Sequence, residues 1–135
     1  MIVADTNAVV ALFLPTDCSV QAEAWWRQDA NWAAPPLLFS ELCNVLMGEV
    51  RRGNIELATA AAIADEAARR VRWLARPSNG AVLTAAHAGG LTAYDAEFVA
   101  AADAAGCQLL TADRAILRAY PGLCYRLGDS PPASR

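Results

Sequence analysis

Short apolar runs alternate along the chain with longer stretches whose apolar residues recur every three or four positions, the two periods that separate strands from helices. Met1–Ala4 is a run of the first kind and stops at Asp5. The stretch after it reads as a helix to about Phe13, with Thr6 or Asn7 as cap and Pro15 beyond its end. Ser19 to about Gln28 is a second helix and carries Trp25 and Trp26. Pro35 and Pro36 open a long helix reaching about Arg52, since proline is tolerated in a first turn. Gly53-Asn54 breaks it, and Glu56 to about Arg70 forms an alanine-rich helix. Val71–Ala75 is a candidate strand, and Ser78 can cap a helix running to Gly89-Gly90. Tyr94 to about Ala105 is helical, with Gly106 as its stop signal. Cys107–Leu110 is a strand, Asp113–Tyr120 a short helix and Leu123–Leu127 a last strand.

Strands and helices in alternation predict an α/β fold, a three-layer α/β/α sandwich around a short, mainly parallel sheet. The chain has 135 residues, 56% of them hydrophobic, enough for one domain with a real core. Residues 1–127 are expected to form that domain, and 128–135 (GDSPPASR) a flexible carboxyl-terminal tail.

Most charges have surface explanations. Glu23 with Arg27 and Glu66 with Arg70 stand four residues apart, the spacing of solvated helix pairs. Four acids resist that account. Glu41 is the only charge between Pro36 and Gly48 and shares its helical arc with Leu37, Leu38 and Val45. Asp95 leads Phe98 and Val99, Asp113 leads Ile116 and Leu117, and Asp5 leads Ala8 and Val9. Each aspartate also sits near a helix start, where capping the free N–H groups is the plain alternative. Glu41 lies more than a turn inside its helix and has no such role.

Asp5 and the Thr111–Asp113 segment fall at the carboxyl ends of predicted strands, the edge where open α/β sheets bind ligands. If the four acids converge, their mutual repulsion needs a cation. Lysine is absent, all 11 basic residues being arginine, and Arg114 is the only one near these segments. A divalent ion with a taste for hard oxygen ligands, Mg²⁺ or Mn²⁺, answers the need.

The same inventory excludes other chemistries. Without lysine there is no P-loop and no Schiff base, and the single histidine, His87, rules out an HExxH zinc site. No GxSxG elbow accompanies that histidine. An acidic-pocket α/β phosphatase would end its first strand in DxD where this chain has DTN, and a phospho-receiver domain would be expected to carry a lysine. The scattered cysteines Cys18, Cys43, Cys107 and Cys124 form no CxxC pair and read as reduced thiols, mostly buried. No signal peptide is apparent, and Pro77 to Tyr94 is too rich in breakers to span a bilayer, so a cytoplasmic location without membrane attachment is expected.

Three segments carry a family likeness: IVADTNAVVALF, WAAPPLLFSELCNVLMGEVRRGNI and GLTAYDAEFVAAADAAGCQLLTADRAILRAYPG. They resemble the PIN domain, and more closely the VapC toxins of bacterial toxin–antitoxin pairs. The similarity covers nearly the whole chain and is weakest from about Glu56 to Ala86. It implies a PIN-like sandwich and a metal-dependent endoribonuclease, with Asp5, Glu41, Asp95 and Asp113 as the acidic quartet. Asp5, Asp95 and Asp113 would face the metal, with Glu41 acting on a coordinated water. Thr6, Asn7 and Thr111 would steady the site, and Val99 stands where some relatives carry a further acid. A PIN fold that binds RNA or a partner without cutting is the alternative.

The likeness also implies a VapB-like antitoxin and a homodimer. Trp25, Trp26 and Trp32 are either core residues or a groove for the antitoxin's helix, whose carboxyl-terminal arm would reach the metal site. A net charge of −3 and a pI near 5.0 do not mark a nucleic-acid binder. RNA contact would fall to local arginines, with Arg51, Arg52, Arg69 and Arg70 as the candidates beside Arg72 and Arg76. The alternative is ordinary solvated helix ends.

Overall fold

The computed structural model describes residues 1–133. In chain order the elements are β1 (Ile2–Ala4), α1 (Thr6–Phe13), α2 (Ser19–Gln28), β2 (Trp32–Ala34), α3 (Leu37–Arg51) and α4 (Leu57–Arg70). They continue with β3 (Arg72–Trp73), α5 (Asn79–Gly89), α6 (Ala93–Ala105), β4 (Leu109–Thr111), α7 (Arg114–Ala119) and β5 (Cys124–Arg126). The strands form one sheet in the order β3-β2-β1-β4-β5, and every neighbouring pair is parallel. Helices flank the sheet, giving the α/β/α sandwich that the alternating pattern predicts.

The three inner strands are buried at every position, whereas β3 and β5 at the edges are not. Parallel sheets are covered on both faces, so their inner strands are continuous apolar runs with no alternation. That explains why β2 escaped the pattern. It is only Trp-Ala-Ala, lacks β-branched residues, and becomes a strand because β1 and β3 hydrogen-bond to it on either side.

Helix α3 buries the stripe Leu38, Leu42 and Leu46. Helix α6 is buried at each position from Ala96 to Ala102, packed against α5 on one side and β1 and β4 on another. Its alanines allow that close approach. Glu97 lies within this buried stretch, and its carboxylate meets the Arg76 guanidinium at 3.1 Å. Trp25 and Trp32 are core residues, while half-buried Trp26 packs edge-on against Trp32 with centroids 5.3 Å apart.

Residues beyond β5 run beside α2. The Trp25 indole donates to the Asp129 carbonyl at 2.9 Å, and the Gln28 amide donates to the Pro132 carbonyl at 2.5 Å. The last two positions of the expected tail, 134 and 135, lie outside the described residues. All four cysteines are free, none is fully buried, and Cys43 is exposed, so the buried-thiol expectation is corrected. No helix among the described residues is long and apolar enough to cross a membrane.

Gly89 and Gly90 close α5 for different reasons. Gly90 takes a left-handed φ of 63°, the usual helix stop. At Gly89 a side chain has no room: a Cβ would stand 2.7 Å from Cε2 of Tyr120, whose hydroxyl is anchored to the Ala85 carbonyl at 2.7 Å. Gly89→Ala should therefore cost about 1–3 kcal/mol through overpacking, read as a lower denaturant midpoint at unchanged slope. An unchanged midpoint would show that the ring yields freely.

Candidate functional site

From β1 the sheet grows through β2 and β3 to one edge, and through β4 and β5 to the other. Where strand order diverges in this way, the chain leaves adjacent strands toward opposite sides and opens a crevice at their carboxyl ends. A cavity of about 790 Å³ occupies that place. Its lining brings together Asp5, Glu41, Asp95 and Asp113, four acids drawn from four separate stretches of chain.

Asp5 follows β1 directly and caps α1, so neither Thr6 nor Asn7 is the cap; Asp5 Oδ1 accepts from the Thr6 N–H at 2.7 Å. Its other oxygen accepts from the Thr111 hydroxyl at 2.7 Å and from the Asn7 side-chain amide at 3.3 Å. Thr111 ends β4 and is fully buried; its hydroxyl oxygen also accepts from the Asp113 N–H at 2.9 Å. Asn7 completes the tie between the strand ends, accepting from the Ala112 N–H at 3.1 Å. Asp113 caps α7, its Oδ1 accepting from the Ile116 N–H at 2.9 Å.

Asp95 does not cap. Thr92 caps α6 by accepting from the Asp95 N–H at 3.1 Å, which leaves the Asp95 carboxylate to the cavity. Glu41 stands on α3 beside the buried stripe, not within it. Leu37 and Val45, one turn either side, are half-buried and line the cavity with it, so the apolar neighbours that marked Glu41 in the sequence are cavity wall. The Thr6 hydroxyl donates to Glu41 Oε1 at 2.5 Å and fixes its direction.

Burial pushes the Asp5 carboxyl up to about 6, against the lowering effect of its Thr111 and Thr6 hydrogen bonds; the charges of Glu41 and Asp95 add to the rise. Asp95 is also raised, by desolvation first and by the Asp113 charge second, with the Thr92 bond working the other way. No arginine among the described residues lines the cavity. Among the described residues no three acidic, histidine or cysteine side chains already close around a single point. The donor set therefore suits a small hard ion that keeps several waters and takes few carboxylates, and it does not form an all-protein cage. Oxygen donors throughout, uncompensated negative charge and rigid second-layer hydrogen bonds fit Mg²⁺ or Mn²⁺.

The arginines named from sequence lie elsewhere. Arg52 pairs with Glu49, and Arg69 and Arg70 both pair with Glu66 at 2.5 and 2.6 Å. Arg51 has no acidic partner among the described residues. Val99 is buried in the core and does not reach the cavity lining. Sequence reasoning missed Asp17, Ser40, Asn44 and Tyr94, all of which line the cavity. Ser40 and Asn44 flank Glu41 on α3 and could have been found by asking which polar residues share its face.

A family model described as the PIN domain matches residues 2–122. The chain belongs to the PIN domain family. Among curated relatives, Ribonuclease VapC3 of Pyrobaculum aerophilum is 33% identical over 126 residues, covering 90% of this chain and 96% of the relative. Among solved structures, the crystal structure of PAE2754 from the same organism aligns with a TM-score of 0.75 at 28% identity, over 91% of this chain and 81% of that one. A toxin–antitoxin complex from Klebsiella pneumoniae aligns at 0.66 with 18% identity, over 94% of this chain and 98% of that one, a likeness of fold. In this PIN domain the four acids named above share one crevice.

A raised Asp5 has a signed consequence for stability. Below the ordinary carboxyl value of 3.8 both folded and unfolded chains hold its proton, and it contributes nothing. Between 3.8 and about 6 the folded chain keeps a proton that the unfolded chain has lost, so stability falls as pH rises. Above about 6 the full penalty stands, of the order of 3 kcal/mol. Asp5→Asn should therefore be the more stable form at pH 7 in chelator, by about 1–3 kcal/mol, and should lose this part of the pH dependence. Denaturant midpoints measured from pH 4 to 7 check it; parallel curves for the two proteins would contradict the assignment.

Proposed function

We propose that this protein is a divalent-metal-dependent endoribonuclease, the toxin component of a toxin–antitoxin pair. The observation that carries the reading is the convergence of four carboxylates from distant segments on one crevice whose lining, among the described residues, holds no cationic side chain. Support also comes from the curated relative, which is named a ribonuclease.

In this reading Asp5, Asp95 and Asp113 would hold Mg²⁺ or Mn²⁺, some of them through the ion's waters, since the three do not already close around one point. When bound, such an ion would supply Lewis acidity toward phosphoryl oxygen and acidify its water. Glu41, aimed by the Thr6 hydroxyl, accepts the proton of the attacking water as the new P–O bond forms and the bond to the leaving ribose oxygen breaks. Thr111 and Asn7 keep the Asp5 carboxylate in one orientation by spending its spare lone pairs on fixed donors. A bound cation would also remove the electrostatic cost that the crevice carries by itself.

The proposed partner is a small VapB-like antitoxin; the structural likeness to a toxin–antitoxin complex supports that choice. Its helix would pack in the groove lined by Leu12, Phe13, Trp26 and Arg70 on α1, α2 and α4. The exposed Arg51 on α3 is the most available of the four arginines for RNA phosphate, having no acidic partner among the described residues to release first.

Asp5→Asn and Asp95→Asn should each lower RNA cleavage by more than about 100-fold, beyond the loss usual for a group that merely orients a ligand, while circular dichroism shows the fold intact. Thr6→Val should cost about 10–100-fold by freeing Glu41. Cleavage of labelled RNA with Mg²⁺, with Mn²⁺ and with EDTA is the measurement. Metal-dependent cleavage retained by both aspartate variants would refute the assignment, and RNA binding without any cleavage would favour the silent binding module.

A further inference from the structure

One aromatic side chain on this surface has no work to do in folding. Tyr94 is 67% exposed, among the described residues it takes part in no aromatic pair, and its hydroxyl has no hydrogen-bond partner. Tyrosines ordinarily bury their rings and settle their hydroxyls, as Tyr120 does against the Ala85 carbonyl. Yet Tyr94 is not remote: it stands in the first turn of α6 immediately before Asp95, and it lines the same cavity as the four acids. The same cavity is lined in part by apolar residues, Val10, Leu37 and Val45.

The charges around this cavity set a problem for any polyanion. Its acids repel phosphate, no arginine among the described residues lines it, and three of the four arginines named from sequence pair with Glu49 or Glu66. A backbone-tracking mode, which needs Lys or Arg against several phosphates, would have to rely on arginines outside the cavity lining. What the rim does provide is a flat π-face beside a carboxylate. Stacking of a base on an aromatic ring is largely insensitive to net charge and tolerant of sequence.

We propose that Tyr94 is a substrate-binding residue whose ring stacks on an unpaired base of single-stranded RNA, next to the phosphodiester presented to the carboxylates. The inference rests on the ribonuclease reading above. A base inside a duplex keeps both faces covered by its neighbours, so the ring selects for single-stranded or looped RNA. Because stacking carries the attraction, binding depends on salt only weakly compared with a protein that neutralises many phosphates.

The test uses the full chain with Mg²⁺ and two probes, a fluorescein-labelled single-stranded RNA of mixed sequence and the same strand annealed to its complement. Tyr94→Ala should raise KM for the single strand by about fivefold or more, with the loss falling on KM and not on kcat, and should leave the duplex signal unaffected. Tyr94→Phe and Tyr94→Trp should restore KM, since a ring is required and a hydroxyl is not. The same ranking should appear as binding anisotropy in the Asp5→Asn background, where no cleavage intervenes. An unchanged KM in Tyr94→Ala, or a Phe variant as weak as the Ala variant, overturns the stacking role while leaving the nuclease standing. A wild-type chain that neither binds nor cuts RNA overturns both.

Discussion

Asp5 is a carboxylate placed where a buried central strand ends, and the crevice is organised around the difficulty of keeping it there. Only 6% of its surface is exposed, so it must find hydrogen-bond donors or a cation. The chain supplies three donors, from Thr6, Asn7 and Thr111; the Thr111 and Thr6 bonds lower its pKa but do not offset desolvation and two nearby negative charges. An aspartate left in that state is costly, and an apolar or amide residue would serve the fold better. Its retention fits a role whose favourable term appears only when a dication is bound.

Topology turns that local difficulty into a site. β1 and β4 are adjacent and parallel, so Asp5 and Thr111 arrive side by side although 106 positions separate them in sequence. The Thr111 hydroxyl then does two things at once, donating to Asp5 and accepting from the Asp113 backbone, which couples the end of one strand to the cap of the helix after the other. Two aspartates serve both as helix caps and as crevice acids, because the N-terminus of a helix that follows a parallel strand points at the carboxyl edge of the sheet. Capping and ligand-facing roles are thus compatible here, and the choice between them posed by the sequence dissolves.

Much of this was legible in the residues. The long amphipathic helices announced themselves by period, and α2, α4 and α6 begin and end within a residue or so of the expected limits. Glu41 was found because a charge without a cap to form is conspicuous on a largely apolar helix. The rest was hidden for physical reasons. β2 is three residues of small and aromatic side chains, whose strand state is imposed by neighbours and not by propensity. Asp95 looked like a cap, and only the geometry shows that Thr92, three residues earlier, already holds that bond. Tyr94 and Asp17 reach the crevice through loop and helix placement that no one-dimensional spacing encodes.

The arginines illustrate why composition misleads about binding. A chain with a net charge of −3 can still present local positive surface, but here three of the candidates are committed to acids on their own helices. Exposed pairs of this kind are weak, each worth a few tenths of a kcal/mol, and a phosphate can compete for them. What it cannot do cheaply is enter an acidic crevice without a counterion. Under the proposed function the order of events would be a physical one: a cation would have to be in place before a phosphodiester approached, because until then the same carboxylates would repel it. A partner protein presenting a cationic side chain to that crevice would meet the same field from the opposite side, and would find its strongest attraction in the metal-free state.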